Sequence, residues 1–404
     1  MRGSFAARWL AIPVAVTVLL SGCGGDSGER EPIGGPAPRP SASSPAADQP
    51  TAAAATATDD PGTAAPTTDG TTDSPAGPPT LTRAETIATD LQTPWDVDFL
   101  PDGAALVTLR NSGQILRIDD GGVTPIDAGG PDGAVPDVVH EMEDGLLGLA
   151  VGPDQGIYVY LTTESDNRVL RYDLVGDELI DPRVILDGIP AHRNHDGGRL
   201  AFGPDGFLYV TTGDARELDL PQDTDSLAGK ILRITTTGEP APGNPFGNEV
   251  WSYGHRNVQG IGWTSDGRMY ASEFGSSDYD ELNLIEPGGN YGWPLIEGWA
   301  GDPDYVDPLV TWSTEEASPS GIAVTDAGVW MTALRGERLW FVPLGPSGKV
   351  GEPEDYQLDL GRLRAVVTAP DDSLWLVTSN TDGRGDPRPA DDQIVSFSAG
   401  PPDG

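Results

Sequence analysis

One pattern recurs six times between residues 95 and 398, and it narrows the possible folds more than any other feature of the chain. A turn signal built on Asp, usually with Gly, appears at Pro101-Asp102-Gly103, Gly152-Pro153-Asp154, Gly203-Pro204-Asp205-Gly206, Ser265-Asp266-Gly267, Thr325-Asp326-Ala327-Gly328 and Pro370-Asp371-Asp372. Successive Asp positions lie 52, 51, 61, 60 and 45 residues apart. Each turn follows a short apolar run (WDVDFL, LLGLAV, GRLAF, GIGW, GIAV, RAVVTA) and precedes another (ALVTL, IYVYLT, FLYVTT, MYASE, VWMTA, LWLVTS). A third run follows: QILRID, RVLRYD, KILRIT, ELNLIE, RLWFVP and QIVSFS. Apolar runs joined by tight Asp/Gly turns read as antiparallel hairpins. A repeat of about 50 residues carrying several strands marks a propeller blade. The pattern predicts an all-β chain, a six-bladed β-propeller of antiparallel sheets over residues 81–404. No long stretch has helical periodicity, which argues against a Rossmann-type domain.

The ends of the chain read differently. Arg2 and Arg8 precede an apolar run from Trp9 to Leu20, too short to span a bilayer but suited to a signal-peptide core. It ends in Leu20-Ser21-Gly22-Cys23, which resembles the bacterial lipobox, and Cys23 is the only cysteine in the chain. Residues 1–23 are expected to be a lipoprotein signal peptide with Cys23 the lipidated residue. The domain would then face outward from the cytoplasmic membrane, held to it by the lipid anchor alone. Residues 24–80 are mostly Ala, Thr, Pro, Ser, Gly and Asp with one large aliphatic, Ile33. Such a segment buries too little apolar area to offset its ordering entropy, so a disordered tether is expected.

Charge and cysteine content exclude several classes. Asp and Glu outnumber Lys and Arg 63 to 24, a formal charge of −39. A surface this negative repels phosphate backbones, so nucleic acid is not an expected partner. A single cysteine excludes intrachain disulfides and thiolate zinc clusters. Only two lysines occur, Lys230 and Lys349, and neither sits in a P-loop or Schiff-base motif.

A propeller's functional surface is the mouth of its central channel, so polar clusters beside strands matter most. Three stand out: His192-Arg193-Asn194-His195-Asp196-Gly197-Gly198-Arg199, Thr211-Thr212-Gly213-Asp214, and Gly254-His255-Arg256-Asn257-Val258-Gln259-Gly260. A histidine beside glycine is most often solvated, and an Asp after Gly is usually a turn former. Here three of the four histidines gather on two adjacent repeats. Histidine with a carboxylate is a general-base pair, and a nearby guanidinium can hold developing negative charge. A further stretch, Glu273-Phe274-Gly275-Ser276-Ser277-Asp278-Tyr279-Asp280-Glu281, is rich in the hard oxygen ligands that calcium prefers, without EF-hand spacing.

These same residues carry a resemblance. The stretches EDGLLGLAVGPD, NHDGGRLAFGPDGFLYVTTGD, GKILRI, GHRNVQGIGWTSDG, SEFGSSDYDELNLIEPGGNYGWP and RLRAVV, in this order, make the chain similar to the soluble pyrroloquinoline-quinone (PQQ)-dependent aldose and glucose dehydrogenases. This six-bladed propeller family is also called the glucose/sorbosone dehydrogenases. The resemblance implies oxidation of aldose sugars at the anomeric carbon to lactones, with PQQ and Ca2+ as cofactors and an external or membrane electron acceptor. It makes His195 the catalytic base, Asp214 the carboxylate that orients it, and Arg256 the charge stabiliser beside the quinone. It places Asn257, Trp312, Arg335, Arg362 and Arg364 against PQQ. It assigns the carbonyls of Gly275 and Ser276 to the calcium that bridges to PQQ, and Glu281 with the Tyr291 carbonyl to a second calcium. PQQ is a tricarboxylate, so an acidic protein needs a local arginine cluster to hold it.

Departures from the family pattern accompany the match. Glu143 stands where a glutamine contacts PQQ, an anion beside an anion unless protonated or turned away. Arg335 replaces a lysine, and Leu309 stands where an aromatic is expected. The loops that close over glucose in specialised members are short here, which points to a broad aldose range. Two other functions suit a propeller: a calcium-dependent lactonase recruiting Glu143, Asp214 and Asn257, and a binding propeller without catalysis.

Overall fold

The computed structural model describes residues 77–401, so the expected signal peptide with Cys23 and nearly all of the expected tether lie outside the described residues. Six four-stranded antiparallel sheets follow one another around a ring, and the six-bladed propeller is as predicted. Blades one to five run in chain order over residues 94–126, 146–189, 200–253, 258–313 and 319–356. The sixth takes its three inner strands from Leu363–Thr368, Leu374–Thr378 and Ile394–Gly400, and its outer strand from Thr80–Ala88. Thr80 pairs with Gly400 and Ala88 with Ile394, so the first described strand closes the ring against the last.

The sequence pattern supplies three strands per blade, and the structure adds a fourth. The outer strands carry little apolar signal because one face meets solvent: Gly122–Ile126 is exposed along four of its five residues, and Glu354–Tyr356 is only three residues long. Between blades, apolar faces interleave. Trp95 of blade one packs with Leu147, Tyr160 and Leu200 of blades two and three, and Tyr270, Trp312 and Trp340 join blades four and five.

A repeated hydroxyl latch sets the spacing of neighbouring blades. The second strand of blades one, three, four and five each places one buried hydroxyl that donates to a carbonyl on the first strand of the next blade. The four bonds are Thr108 to Leu147 (2.7 Å), Thr211 to Val258 (2.9 Å), Ser272 to Ser320 (2.6 Å) and Thr332 to Arg364 (3.2 Å). Such closeness needs a bare backbone, and a Cβ at Gly260 would run into the Ser320 carbonyl. The first strands of these neighbouring blades therefore pack close to the strands beside them.

Candidate active site

His195 lies in the loop that feeds the first strand of blade three, at φ +65°. Two contacts hold it in this sparsely populated region. Its N–H donates to Glu143 Oε2 (3.2 Å), and its carbonyl presses so closely on Gly213 that any side chain there would collide. Gly213 precedes Asp214, so the close approach brings carboxylate and imidazole together. Asp214 Oδ1 lies 2.7 Å from His195 Nδ1. The same oxygen accepts the Arg216 N–H (2.8 Å), and Oδ2 accepts Trp293 Nε1–H (2.8 Å). Burial pushes the Asp214 carboxyl upward, but its hydrogen bond with His195, with those two donors, holds it below the ordinary carboxylate value.

On the other side of the ring, Arg256 Nη2 lies 2.9 Å from His195 Nε2. A guanidinium only donates and a carboxylate only accepts. Nδ1 therefore carries the proton, toward Asp214, and Nε2 presents its lone pair. This is the tautomer a general base needs. Arg256 is itself held by its backbone N–H on Glu273 Oε1, by Nη1 on the Phe274 carbonyl (3.2 Å) and by the Trp293 ring (5.4 Å). Behind it His255 is fully buried, bonded to Glu273 (2.8 Å) and Ser252 (2.9 Å) and stacked on Tyr291. Asn257 Oδ1 accepts the Gly197 N–H (3.0 Å), so this side chain fixes the His195 loop.

A cavity of about 380 Å³ borders this group, lined by Arg110, Glu143, Gln259, Phe274, Arg335, Arg362, Arg364 and Arg384 among others. Glu143 and Phe274, which touch the His195–Arg256 pair, form its shared wall. Arg362 pairs with Asp382 (2.9 Å), and Arg364 donates to Gln259 Oε1 (2.8 Å). Burial, and then the neighbouring Arg110 charge, push Arg364 down to about 9. Arg110 Nη2 and Arg364 Nε are buried without a hydrogen-bond partner among the described residues. Buried donors left unmatched on a wall of guanidiniums fit an anionic ligand with several acceptor oxygens.

The cation-site residues also come together. The loop after Glu273 wraps the carboxylate of Glu297, whose Oε1 accepts the N–H groups of Ser276, Ser277, Asp278 and Tyr279 at 2.7–3.1 Å. Glu281 is buried, with Oε1 on the Gly298 N–H (2.8 Å) and Oε2 on Asn283 (3.1 Å). Burial, then the charge of Glu273, push it well above the usual carboxylate range. Glu273, Glu281, Glu297 and Tyr291 line a void of about 10 Å³, roughly one small sphere. Among the described residues no group of three or more acidic, His or Cys side chains is placed to hold a metal, so backbone carbonyls would have to complete any coordination. Mutually repelling carboxylates around a one-atom space fit a hard cation.

The structure redraws three expectations. Trp312 does not reach the cavity: on Val310–Ser313 its parity turns it into the core between blades four and five, 5.6 Å from Trp340. Leu309 packs against the same core. The aromatics beside the site are Trp293 and Phe274. Glu143 is neither protonated nor turned away. Burial pushes its carboxyl up, but the Arg384 guanidinium and the His195 N–H hold it below its ordinary value. Arg335 lines the cavity but is half exposed and pairs with Glu315 at the rim (3.1 Å). Arg110 and Arg384 were not expected from sequence, since each stands alone in a loop without a motif; Trp293 lies within the stretch SEFGSSDYDELNLIEPGGNYGWP but was given no role there.

Comparison with known proteins gives the same family as the residues. The chain is 47% identical to the solved PQQ-bound form of aldose sugar dehydrogenase from Streptomyces coelicolor, with a TM-score of 0.76, covering 81% of this chain and 100% of that one. It is 28% identical to aldose sugar dehydrogenase YliI of Escherichia coli, over 76% of this chain and 92% of that one. It is 31% identical to quinoprotein glucose dehydrogenase B of Acinetobacter calcoaceticus, over 61% of this chain and 60% of that protein. The family model described as Glucose / Sorbosone dehydrogenase matches residues 91–385, and the chain belongs to that family.

Proposed function

We propose that this protein is a PQQ- and calcium-dependent aldose dehydrogenase that oxidises the anomeric carbon of a sugar to a lactone and passes the electrons to an external acceptor. The observation that carries the reading is a histidine with its Nε2 lone pair presented and its Nδ1–H on a buried carboxylate, beside a cavity walled by arginines. PQQ, when bound, supplies a two-electron acceptor for the hydrogen on the anomeric carbon. Arg362, Arg364 and Arg110 would hold its carboxylates. The carbonyls of Gly275 and Ser276 would hold one calcium, and Glu281 with the Tyr291 carbonyl a second.

The chain's own residues handle the proton. His195 Nε2, which faces Arg256 Nη2 at 2.9 Å, accepts it from the anomeric hydroxyl. Asp214, 2.7 Å from Nδ1, stabilises the imidazolium that results. Arg256 keeps a positive charge beside the oxygen where negative charge develops. The lactonase alternative needs Glu143, Asp214 and Asn257 to converge on a metal. Each is committed elsewhere, to Arg384, His195 and the Gly197 N–H respectively.

The test is aldose-dependent dye reduction by the purified full chain with calcium and PQQ, each omitted in turn. Turnover requiring both supports the reading, and lactone hydrolysis without PQQ would replace it. We also place the protein on the outer face of the cytoplasmic membrane through Cys23. Incorporation of a labelled fatty acid that is lost in Cys23→Ser checks this.

A further inference from the structure

Among the described residues that line the cavity, Glu143 is the one acid beside five arginines. Its Oε1 lies 2.7 Å from Arg384 Nη2, and its Oε2 takes the backbone N–H of His195. Its side chain is 20% exposed, against 50% for Arg384. Arg384 sits on the loop between Leu374–Thr378 and Ile394–Gly400. That loop is anchored by Asp382, whose Oδ1 accepts the Arg384 N–H (2.9 Å) while Oδ2 holds Arg362. One carboxylate therefore places two of the cavity arginines, and the second of them reaches across the mouth to Glu143. The chain of contacts runs Arg362, Asp382, Arg384, Glu143, His195.

From this we infer that Glu143 and Arg384 act as one unit: Arg384 cancels the charge that would oppose an anion in the cavity, and thereby lets a full carboxylate hold the left-handed His195 backbone. Resting on the PQQ reading, the inference adds Arg384 to the groups that set cofactor affinity, and it makes the effects of Arg384 and Glu143 depend on each other. Without Arg384, Glu143 stands as an unpaired anion on the wall. At a separation of about 7 Å and an effective dielectric of about 20, one such charge weakens binding of a like unit charge about fiftyfold. Replacing Glu143 alone by an amide keeps an acceptor for His195 N–H and frees Arg384 for the ligand.

The test is a double-mutant cycle on the full chain, reading PQQ affinity from quenching of tryptophan fluorescence in calcium. Arg384→Gln is expected to weaken binding about ten- to a hundredfold, and Glu143→Gln to tighten it. The double variant should return to within about threefold of the parent, because the charge that needed cancelling has gone with the charge that cancelled it. The Arg384→Gln defect should also shrink as salt rises. Loss of a merely structural contact predicts no such rescue: if the double variant binds as weakly as Arg384→Gln, or if Arg384→Gln binds like the parent, the coupling is overturned. A parent protein that does not bind PQQ at all would instead overturn the functional reading itself, and this inference with it.

Discussion

Replacing Asp214 by Asn separates the charge of the dyad from its shape. Asp214 is 1% exposed and accepts three donors: His195 Nδ1–H and the Arg216 N–H on one oxygen, Trp293 Nε1–H on the other. An amide has a single acceptor end. Turned to keep the His195 and Arg216 bonds, it sets its NH2 against the Trp293 N–H; turned the other way, it forces the imidazole into the wrong tautomer. In the first orientation the geometry survives and only the charge is lost. A carboxylate about 4 Å from the imidazolium charge centre, at an effective dielectric of about 20, is worth about 4 kcal/mol, or about a thousandfold in kcat. Dye-linked oxidation at saturating sugar, PQQ and calcium should show that loss, while PQQ affinity by fluorescence stays within about threefold. Adding Trp293→Phe removes the conflicting donor, so it should recover stability in Asp214→Asn without recovering kcat. A kcat within tenfold of the parent would refute the reasoning, because the proton would then be going to a group that Asp214 does not stabilise.

Three other outcomes follow from the same geometry. Burial raises Asp196 to about 7, and its Oδ2 has no partner among the described residues. The folded state therefore binds the proton more tightly than the unfolded chain, and stability is lost as pH rises from about 4 to about 7. Asp196→Asn should flatten that slope by on the order of 2–3 kcal/mol between pH 5 and 8 in urea unfolding, and parallel slopes would exclude the effect. Glu297→Ala removes the acceptor of four loop N–H groups. It should cost about 1–3 kcal/mol and speed amide exchange at residues 276–279, whereas Glu297→Gln, which keeps an oxygen, should do neither to the same extent. Thr332→Val deletes, without changing shape, the hydroxyl shared between the Gly321 carbonyl of its own blade (3.0 Å) and the Arg364 carbonyl of the next (3.2 Å). It should lower unfolding free energy by about 1 kcal/mol, and an unchanged denaturation midpoint would show that the latch adds no net stability.

What could be read from the sequence depends on how locally each feature is written. Three strands of every blade were legible because burial makes them short apolar runs between Asp/Gly turns. The outer strands were not, and the closing strand Thr80–Ala88 was least of all: five of its nine residues are exposed and its partner is Ile394–Gly400. His195, Asp214 and Arg256 announced themselves by clustering within two adjacent repeats. The family resemblance put Trp312 beside the cofactor, yet strand parity sends it into the core. The charge balance of the cavity obeys a different rule. Arg110, Glu143, Arg362 and Arg384 sit in separate loops and meet only when the ring closes, so no local window of sequence contains the pairing that decides whether Glu143 repels a ligand or is neutral toward it. Ring closure therefore places Glu143 beside its counter-charge, and the tolerance of this site for a carboxylate should follow the fate of Arg384 rather than that of any residue near Glu143 in the chain.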